Sequence, residues 1–136
     1  FSNLVMDVRK AFYIWSGQGA KRPASLKRIL FDNIIAESDR ANYVGGTEEV
    51  PVEEIEFRRV RLSLKGNMTD DFDGTAPEPY KAFGYWRNSG LPYAFFVRHG
   101  RNIVFDDVKI DRSNATGKWR ENLKLDRCVN VVSPWQ

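Results

Sequence analysis

The sequence predicts an all-β fold, a parallel β-helix of about four to five coils with one long loop insertion. The first observation is a short apolar motif that recurs along the chain, with starts at residues 4, 29, 55, 103 and 123. The second is a further short apolar run that accompanies several of these motifs and is followed by glycine. A repeat in the twenties with two or three short strands per turn is typical of a solenoid.

The motif has the form apolar–x–aromatic–x–x–apolar at residues 29–34, 55–60 and 103–108. Residues 123–128 are a weaker copy, and residues 4–7 begin another copy whose phase is lost after the third residue. The starts are separated by 25, 26, 48 and 20 residues, and three of these steps are similar. The step of 48 therefore predicts an ordinary coil that carries an insertion.

Each copy of the motif alternates between two faces, as a β-strand does. Ile55 and Phe57 are expected to point into the core, and Glu56 and Arg58 to point to solvent. The apolar phase then shifts by one residue to Val60. That shift predicts a corner between two short strands.

Second short strands are predicted at residues 12–15, 41–44 and 94–97, where apolar and aromatic residues cluster. The turns that follow them are assigned to glycines: Gly17, Gly45, Gly46 and Gly100. The insertion, roughly residues 66–90, is rich in glycine and proline, which is typical of loops. The whole chain, residues 1–136, is then one β-helix segment.

Two other all-β or repeat folds were weighed. Leucine-rich repeats share the period, but their leucine and asparagine signature is absent from this sequence. A β-sandwich built from hairpins is expected to show Asn-Gly or Asp-Gly turns between paired apolar runs. Asp73-Gly74 is the one such pair, and it lies inside the insertion. The β-helix is therefore favoured.

The composition restricts the possible partners and cofactors. The chain is 42% hydrophobic and has 21 basic against 18 acidic residues, a net charge of +3. No block of Lys and Arg is typical of a nucleic-acid arm, so no nucleic-acid partner is predicted. No stretch is long and apolar enough to predict a membrane span. The lone Cys128 rules out an internal disulfide, no metal-ligand cluster stands out, and no cofactor is predicted.

A specific pattern runs through the insertion and the coil after it. Residues 77–80 read Pro-Glu-Pro-Tyr, residues 83–84 read Phe-Gly, and residues 90–99 read Gly-Leu-Pro-Tyr-Ala-Phe-Phe-Val-Arg-His. An asparagine-led coil follows at residues 102–108. This order resembles the C-terminal end of bacterial members of glycoside hydrolase family 28, the polygalacturonase family. Residues 51–57 resemble the preceding coil of that family.

The resemblance covers about residues 23–112 and implies a right-handed β-helix. Family members are inverting hydrolases of α-linked galacturonate chains, in which aspartates serve as general acid and base around a water. None of the family's catalytic motifs is present here. Residues 67–71 and 98–100 are near matches, but they align with a later part of the family. The catalytic residues are therefore unknown, and the coils that carry them are expected before Phe1.

Three residues are predicted to bind substrate. Trp86 lies where an aromatic ring can stack on a sugar, and Arg87 can form a fork of hydrogen bonds to a uronate carboxylate. Trp86 can instead fold the insertion back over the coil edges. His99, the only histidine, can contact sugar or act as a base. Its alternative role is structural, because it lies between an apolar strand and a glycine turn.

Several residues are assigned structural roles. Asn33, Asn102 and Asn130 are expected to form hydrogen bonds at the corners of the coils. Trp119 and Trp135 are expected to close the C-terminal end of the stack. Cys128 is read as a small core residue. A charged solvent face is predicted on one coil by interspersed acids and arginines: Glu53, Glu54, Glu56, Arg58, Arg59 and Arg61.

The first coil is expected to expose an apolar face and unpaired backbone groups on its N-terminal side. Upstream coils of the same protein, or another chain, are therefore predicted to cover it. The function predicted is that of the C-terminal β-helix portion of a secreted or periplasmic hydrolase of pectic, galacturonate-containing polysaccharide. The alternative is a β-helix module without catalysis that binds glycans or assembles with other chains.

Overall fold

The computed structural model describes residues 1–16, 25–68 and 91–135. Over these ranges the regular structure consists of eleven β-strands. They are β1 Ser2–Val8, β2 Tyr13–Trp15, β3 Lys27–Ser38, β4 Asn42–Gly45, β5 Val52–Leu64, β6 Asn67–Met68, β7 Phe95–Arg98, β8 Gly100–Asp111, β9 Thr116–Gly117, β10 Leu123–Asp126 and β11 Val129–Val132. The described part of the chain includes no helix with the length and apolar character needed to cross a membrane.

All strand pairs are parallel. The main sheet has the order β1-β3-β5-β8-β11, and a second sheet has the order β10-β7-β4-β2. A short third sheet pairs β6 with β9. The chain alternates between the two larger sheets and returns each time one strand further along. The prediction of an all-β, parallel fold is therefore confirmed at this level, and the second strands predicted near residues 12, 41 and 94 are present as β2, β4 and β7.

The main sheet aligns three copies of the sequence motif. Ile29 pairs with Ile55, and Ile55 pairs with Ile103. Phe31, Phe57 and Phe105 align in the same way, two residues further on. The 48-residue step between β5 and β8 is therefore an in-register repeat with extra chain between them, as predicted. Most of that extra chain, together with the predicted site residues Trp86 and Arg87, lies outside the described residues.

Two predicted copies of the motif are wrong in register. Leu123 does not align with Ile103. It pairs with Phe95 in the second sheet, and Val131 is the partner of Ile103. At the other end Leu4 pairs with Ile34, five residues beyond the predicted partner. The steps between repeats at these ends are 28 and 30 residues, as the Asn102–Asn130 and Asn3–Asn33 side-chain bonds also indicate.

Identical side-chain types stack in rows inside the molecule. Phe31, Phe57 and Phe105 are stacked, with neighbouring ring centroids 5.2 and 5.0 Å apart. Phe12 and Phe95, from the second sheet's side, meet Phe57 edge-on at 5.1 and 5.3 Å. Ile55 and Val60 are fully buried beside them, as predicted. The core is therefore a ladder of rings between the two sheets, and each repeat supplies one rung.

The long strands of the main sheet bend at residues with left-handed backbone. One row consists of Asn3, Asn33, Arg59 and Asp107, with φ between 52° and 59°. A second row consists of Arg28, Glu54, Asn102 and Asn130, with φ between 55° and 61°. The predicted corner before Val60 is thus a bend inside the continuous strand β5, and not a break between two short strands. Asparagine is common at such bends because its short polar side chain tolerates this conformation.

The predicted role of asparagine at the corners is confirmed. Asn33 Nδ2 donates to Asn3 Oδ1 at 2.7 Å, and Asn130 Nδ2 donates to Asn102 Oδ1 at 2.7 Å. Each bond joins equivalent positions of neighbouring repeats. These side chains therefore extend the backbone hydrogen-bond ladder along the corner.

The two ends of the stack differ. At the C-terminal end, Trp135 packs 5.5 Å from Phe105, and Trp119 donates from Nε1 to Gly66 O at 3.0 Å. Both tryptophans pack against the core, as predicted, and Cys128 is partly buried there. At the N-terminal end Phe1 is 75% exposed, and an apolar depression opens between Phe1, β2 and the first half of β3. The predicted open apolar face is therefore present at that end.

Candidate functional site

His99 lies at the turn that joins β7 to β8. Its backbone is left-handed, with φ of 50°. Its N–H donates to Asp126 O at 3.0 Å, and its carbonyl accepts from Val52 N at 3.1 Å. Arg127 occupies the equivalent turn of the next repeat, with φ of 53°. The backbone of His99 thus has the structural role that was the alternative reading, while its side chain is free to line the surface.

That side chain lines a surface depression of about 370 Å³. We call it the His99 depression, and its described lining consists of Glu48, Pro51, His99, Arg101, Arg127 and Val129. These residues come from the loop after β4, from the β7–β8 turn with the start of β8, and from the β10–β11 turn with the start of β11. Three successive repeats therefore bring together two guanidinium groups, an imidazole and one carboxylate.

The electrostatic surroundings keep the His99 side chain neutral. Partial burial lowers the pKa of His99, and the positive charges of Arg127 and Arg98 lower it further. Asp126 and Glu48 act in the opposite direction but do not reverse the shift. A neutral imidazole offers one hydrogen-bond donor and one acceptor at pH 7. His99 is therefore suited to contact a hydroxyl group of a ligand, which both donates and accepts.

The arginines of the His99 depression are held by acids but remain accessible. Arg127 donates from Nε and Nη2 to the carboxylate of Asp126 at 3.1 and 3.2 Å. Arg101 lies 3.6 Å from Glu53. Both guanidinium side chains are more than half exposed. A guanidinium has five N–H donors in a planar fork, a geometry that suits a carboxylate of a ligand.

Asp126 also contacts a second arginine, Arg98, on its buried side. The side chain of Arg98 is buried under the turn, and its Nε lies 3.4 Å from Asp126 Oδ2. Asp126 therefore lies between Arg98 and Arg127. This arrangement fixes the orientation of Arg127, which lowers the entropy lost when a ligand binds.

Sequence reasoning found His99 but missed Arg101, Arg127 and Glu48. The repeat step was the available signal. At this end the repeat is 28 residues long, so the position equivalent to 99 in the next repeat is 127. The sequence motif predicts a step of 20 there, which does not bring His99 and Arg127 together. Arg101 follows His99 by two residues and was visible beside it. Glu48 comes from another repeat, so only the packing of the loops brings it near.

The predicted charged face is present on the outer side of the main sheet. Arg59 pairs with Asp32, and Arg58 pairs with Glu56. Hydrogen bonding from Arg59 lowers the pKa of the Asp32 carboxyl group. An ionised carboxylate such as Asp32 is a poor general acid, because that role needs a protonated carboxyl group. The face is therefore read as a solvated surface.

The near-catalytic sequence at residues 69–71 lies outside the described residues, as do Trp86 and Arg87. Among residues 1–16, 25–68 and 91–135, no group of three or more His, Cys, Asp or Glu side chains is placed to hold a metal ion. The chain matches no protein-family model, no curated protein and no solved structure.

Proposed function

We propose that the two parallel sheets belong to a right-handed parallel β-helix. The support is the chain path, which leaves one sheet, enters the other and returns one strand further along in every repeat. Crossover connections between parallel strands are right-handed in about 98% of cases. An experimentally determined structure that shows left-handed crossovers would overturn this fold.

We propose further that the chain is the C-terminal portion of a hydrolase of pectic, galacturonate-containing polysaccharide, and that the His99 depression binds this acidic polymer. The observation that carries the proposal is the convergence of His99, Arg101 and Arg127 from neighbouring repeats. A uronate residue presents a carboxylate and hydroxyl groups. Guanidinium groups bind the carboxylate through paired hydrogen bonds, and a neutral imidazole and Glu48 are suited to the hydroxyls.

In this proposal the described residues bind and do not cleave. The general acid and base belong to coils outside the described residues, and the predicted contributions of Trp86 and Arg87 are a stacking ring and a third guanidinium. A secreted or periplasmic location follows from the substrate, since pectic polymers lie outside the cell. Among the described residues, His99 and Arg127 stand on turns between strands and Arg101 stands at the start of β8, and binding residues are often held at such positions.

Binding of oligogalacturonate tests the proposal. Arg127→Gln removes the guanidinium while keeping a polar side chain, and we expect binding to weaken about three- to tenfold. A charged hydrogen bond contributes roughly 1.5–3 kcal/mol, and partial exposure reduces this value. Isothermal titration calorimetry measures the affinity of the chain and the variant.

Lys109→Gln is the matched control, because Lys109 is an exposed cation on β8 at the far end from Arg101. It changes the net charge by the same amount and should leave the affinity unchanged. A neutral glucan oligosaccharide should bind more weakly than oligogalacturonate. Equal loss of affinity in both variants would assign the binding to net charge and overturn the site.

The alternative function is a glycan-binding or assembly module without catalysis. The observation that favours it is the open N-terminal edge, where β1 has a neighbouring strand on one side only in the described structure. An unpaired edge of this kind is a template for another strand. We propose that upstream coils of the same protein, or another chain, pair with β1.

A charge introduced at the β1 edge tests whether another strand pairs with it. Leu4 ends the inward row that continues through Ile34 and Val60. We expect the chain to self-associate with rising concentration in the micromolar range, and Leu4→Lys to abolish this association, because a lysine at a sheet edge opposes pairing. Sedimentation velocity measures the mass distribution.

Val132→Lys places the same charge at an exposed apolar position on the opposite edge strand, β11. It should leave the self-association unchanged. A chain that stays monomeric at every concentration, or two variants that behave alike, would contradict a special role for the β1 edge.

A further inference from the structure

A second basic depression lies at the opposite end of the long strands from His99. Its volume is about 340 Å³. We call it the Arg9/Arg40 depression, and its described lining consists of Arg9, Asp39, Arg40, Lys65, Gly66 and Asn67. It lies where the chain leaves β1, β3 and β5. The site is therefore separate from the His99 depression and uses the first three repeats.

Backbone hydrogen bonds bring its cations together. The N–H groups of Asp39 and Arg40 both donate to Arg9 O, at 3.1 and 2.9 Å. The N–H of Lys65 donates to Ser38 O at 3.1 Å. Three consecutive repeats thus place a basic residue at the same corner, and the ladder that builds the fold fixes their spacing.

The hydroxyl group of Ser38 strengthens this corner. Ser38 is fully buried, and its Oγ lies 2.7 Å from Arg40 O and 3.3 Å from Arg9 O. The backbones that carry the two arginines are therefore tied to one side chain. A site whose backbone is fixed before binding loses less entropy when a ligand arrives.

The two arginines of this corner differ from the paired arginines of the main sheet. In the main sheet, Arg28 pairs with Glu54, and Arg59 pairs with Asp32. By contrast, within the described ranges the guanidinium groups of Arg9 and Arg40 form no ion pair and no side-chain hydrogen bond. Lys65 does pair, with Asp7 and Glu37. Asp39 is the one acid of the described lining.

The positive potential at this corner affects the pKa of a neighbouring lysine, Lys10. Lys10 packs with Nζ 5.3 Å from the centre of the Tyr13 ring. Burial lowers the pKa of Lys10, and the charges of Arg40 and Arg9 lower it further. The cations therefore repel one another at this corner, and an anion bound between them would relieve that repulsion.

The wall of the Arg9/Arg40 depression is made of closely packed backbone. A Cβ atom added to Gly66 would lie 2.0 Å from Asp39 O. A side chain at this position would push the second and third repeats apart. Glycine therefore lets the backbone approach closely and keeps the depression open.

We propose that the Arg9/Arg40 depression binds a tetrahedral oxyanion, such as a sulfate or phosphate group. The guanidinium groups of Arg9 and Arg40 alone offer more donors than the two oxygens of a carboxylate can accept, and Lys65 adds positive charge although it also pairs with Asp7 and Glu37. A sulfate dianion supplies more oxygens and twice the charge. This site is independent of polysaccharide binding in the His99 depression, so either proposal can fail alone.

Inorganic sulfate is the probe for the first experiment. The ¹⁵N-labelled chain is titrated with sodium sulfate at an ionic strength held constant with sodium chloride, and NMR follows the arginine Nε–H signals and the amides of residues 39 and 40. We expect saturable shifts confined to this corner. Arg40→Gln should weaken sulfate binding about tenfold, the loss expected for one charge-assisted contact.

Arg28→Gln is the matched control, because it removes an exposed arginine from the opposite corner of β3. It should leave the sulfate affinity unchanged, and thermal unfolding checks that both variants remain folded. A sulfated disaccharide that binds more tightly than sulfate would identify an ester group as the source, whereas equal affinity would identify the free anion. Shifts that do not saturate, acetate binding as tight as sulfate binding, or wild-type affinity in Arg40→Gln would overturn the site.

Discussion

Replacing Phe57 by alanine is expected to lower the free energy of unfolding by about 3–5 kcal/mol. Phe57 is fully buried at the centre of the ring ladder, between Phe31 and Phe105. The substitution removes the burial of a whole ring and leaves a cavity that a rigid stack of strands fills poorly. Urea denaturation followed by circular dichroism measures the change.

Phe1→Ala supplies the matched control at the end of the same ladder. Phe1 stacks on Phe31 at 5.2 Å but is 75% exposed. We expect it to cost less than about 1 kcal/mol, since an aromatic pair contributes roughly 0.5–1.5 kcal/mol beyond its buried area. If the two substitutions cost the same, the ladder does not depend on burial as the structure indicates.

Replacing Asn42 by leucine is expected to lower the free energy of unfolding by about 2–4 kcal/mol, although the side chain is similar in size. Asn42 is fully buried in β4. Its Oδ1 accepts from Phe12 N at 2.9 Å, and its Nδ2 donates to Ala94 O at 3.0 Å. Leucine leaves the buried N–H of Phe12 without this acceptor and removes the link across three repeats.

Asn33→Gly is the control for Asn42→Leu. It deletes a side-chain bond of 2.7 Å to Asn3, but from an exposed row, and glycine readily adopts the left-handed backbone of this position. We expect a loss below about 1 kcal/mol, because water replaces an exposed hydrogen bond. Hydrogen exchange at the Phe12 amide gives a second measurement, and it should accelerate in Asn42→Leu alone. Unchanged protection there would contradict a bridging role for Asn42.

The error at residues 123–128 has a physical cause. Residues 123–128 alternate apolar and polar side chains as residues 103–108 do, so they were read as the same strand of the next repeat. β4 and β7 of the second sheet are buried on both faces, but β10 at the edge of that sheet is only partly buried and alternates as a main-sheet strand does. Only the hydrogen bonds decide which neighbour β10 takes, and it takes β7.

The same error hid part of the candidate site. With a step of 28 residues, His99 and Arg127 occupy equivalent turns, and their side chains reach one depression. Glu48 belongs to a different repeat and carries no signal of its own in the sequence. His99 could therefore be predicted as a site residue from the sequence, but the side chains that surround it could not.

The sequence by itself determined which residues point inward, where the second strands lie and where the long insertion interrupts the repeat. Burial of apolar side chains imposes these patterns locally, residue by residue, so they can be read from spacing. The tertiary structure decided the register of the end repeats, the bend inside β5 and the two clusters of cations at the corners. These features depend on hydrogen bonds and contacts between residues about 26 to 48 positions apart, which spacing alone does not specify.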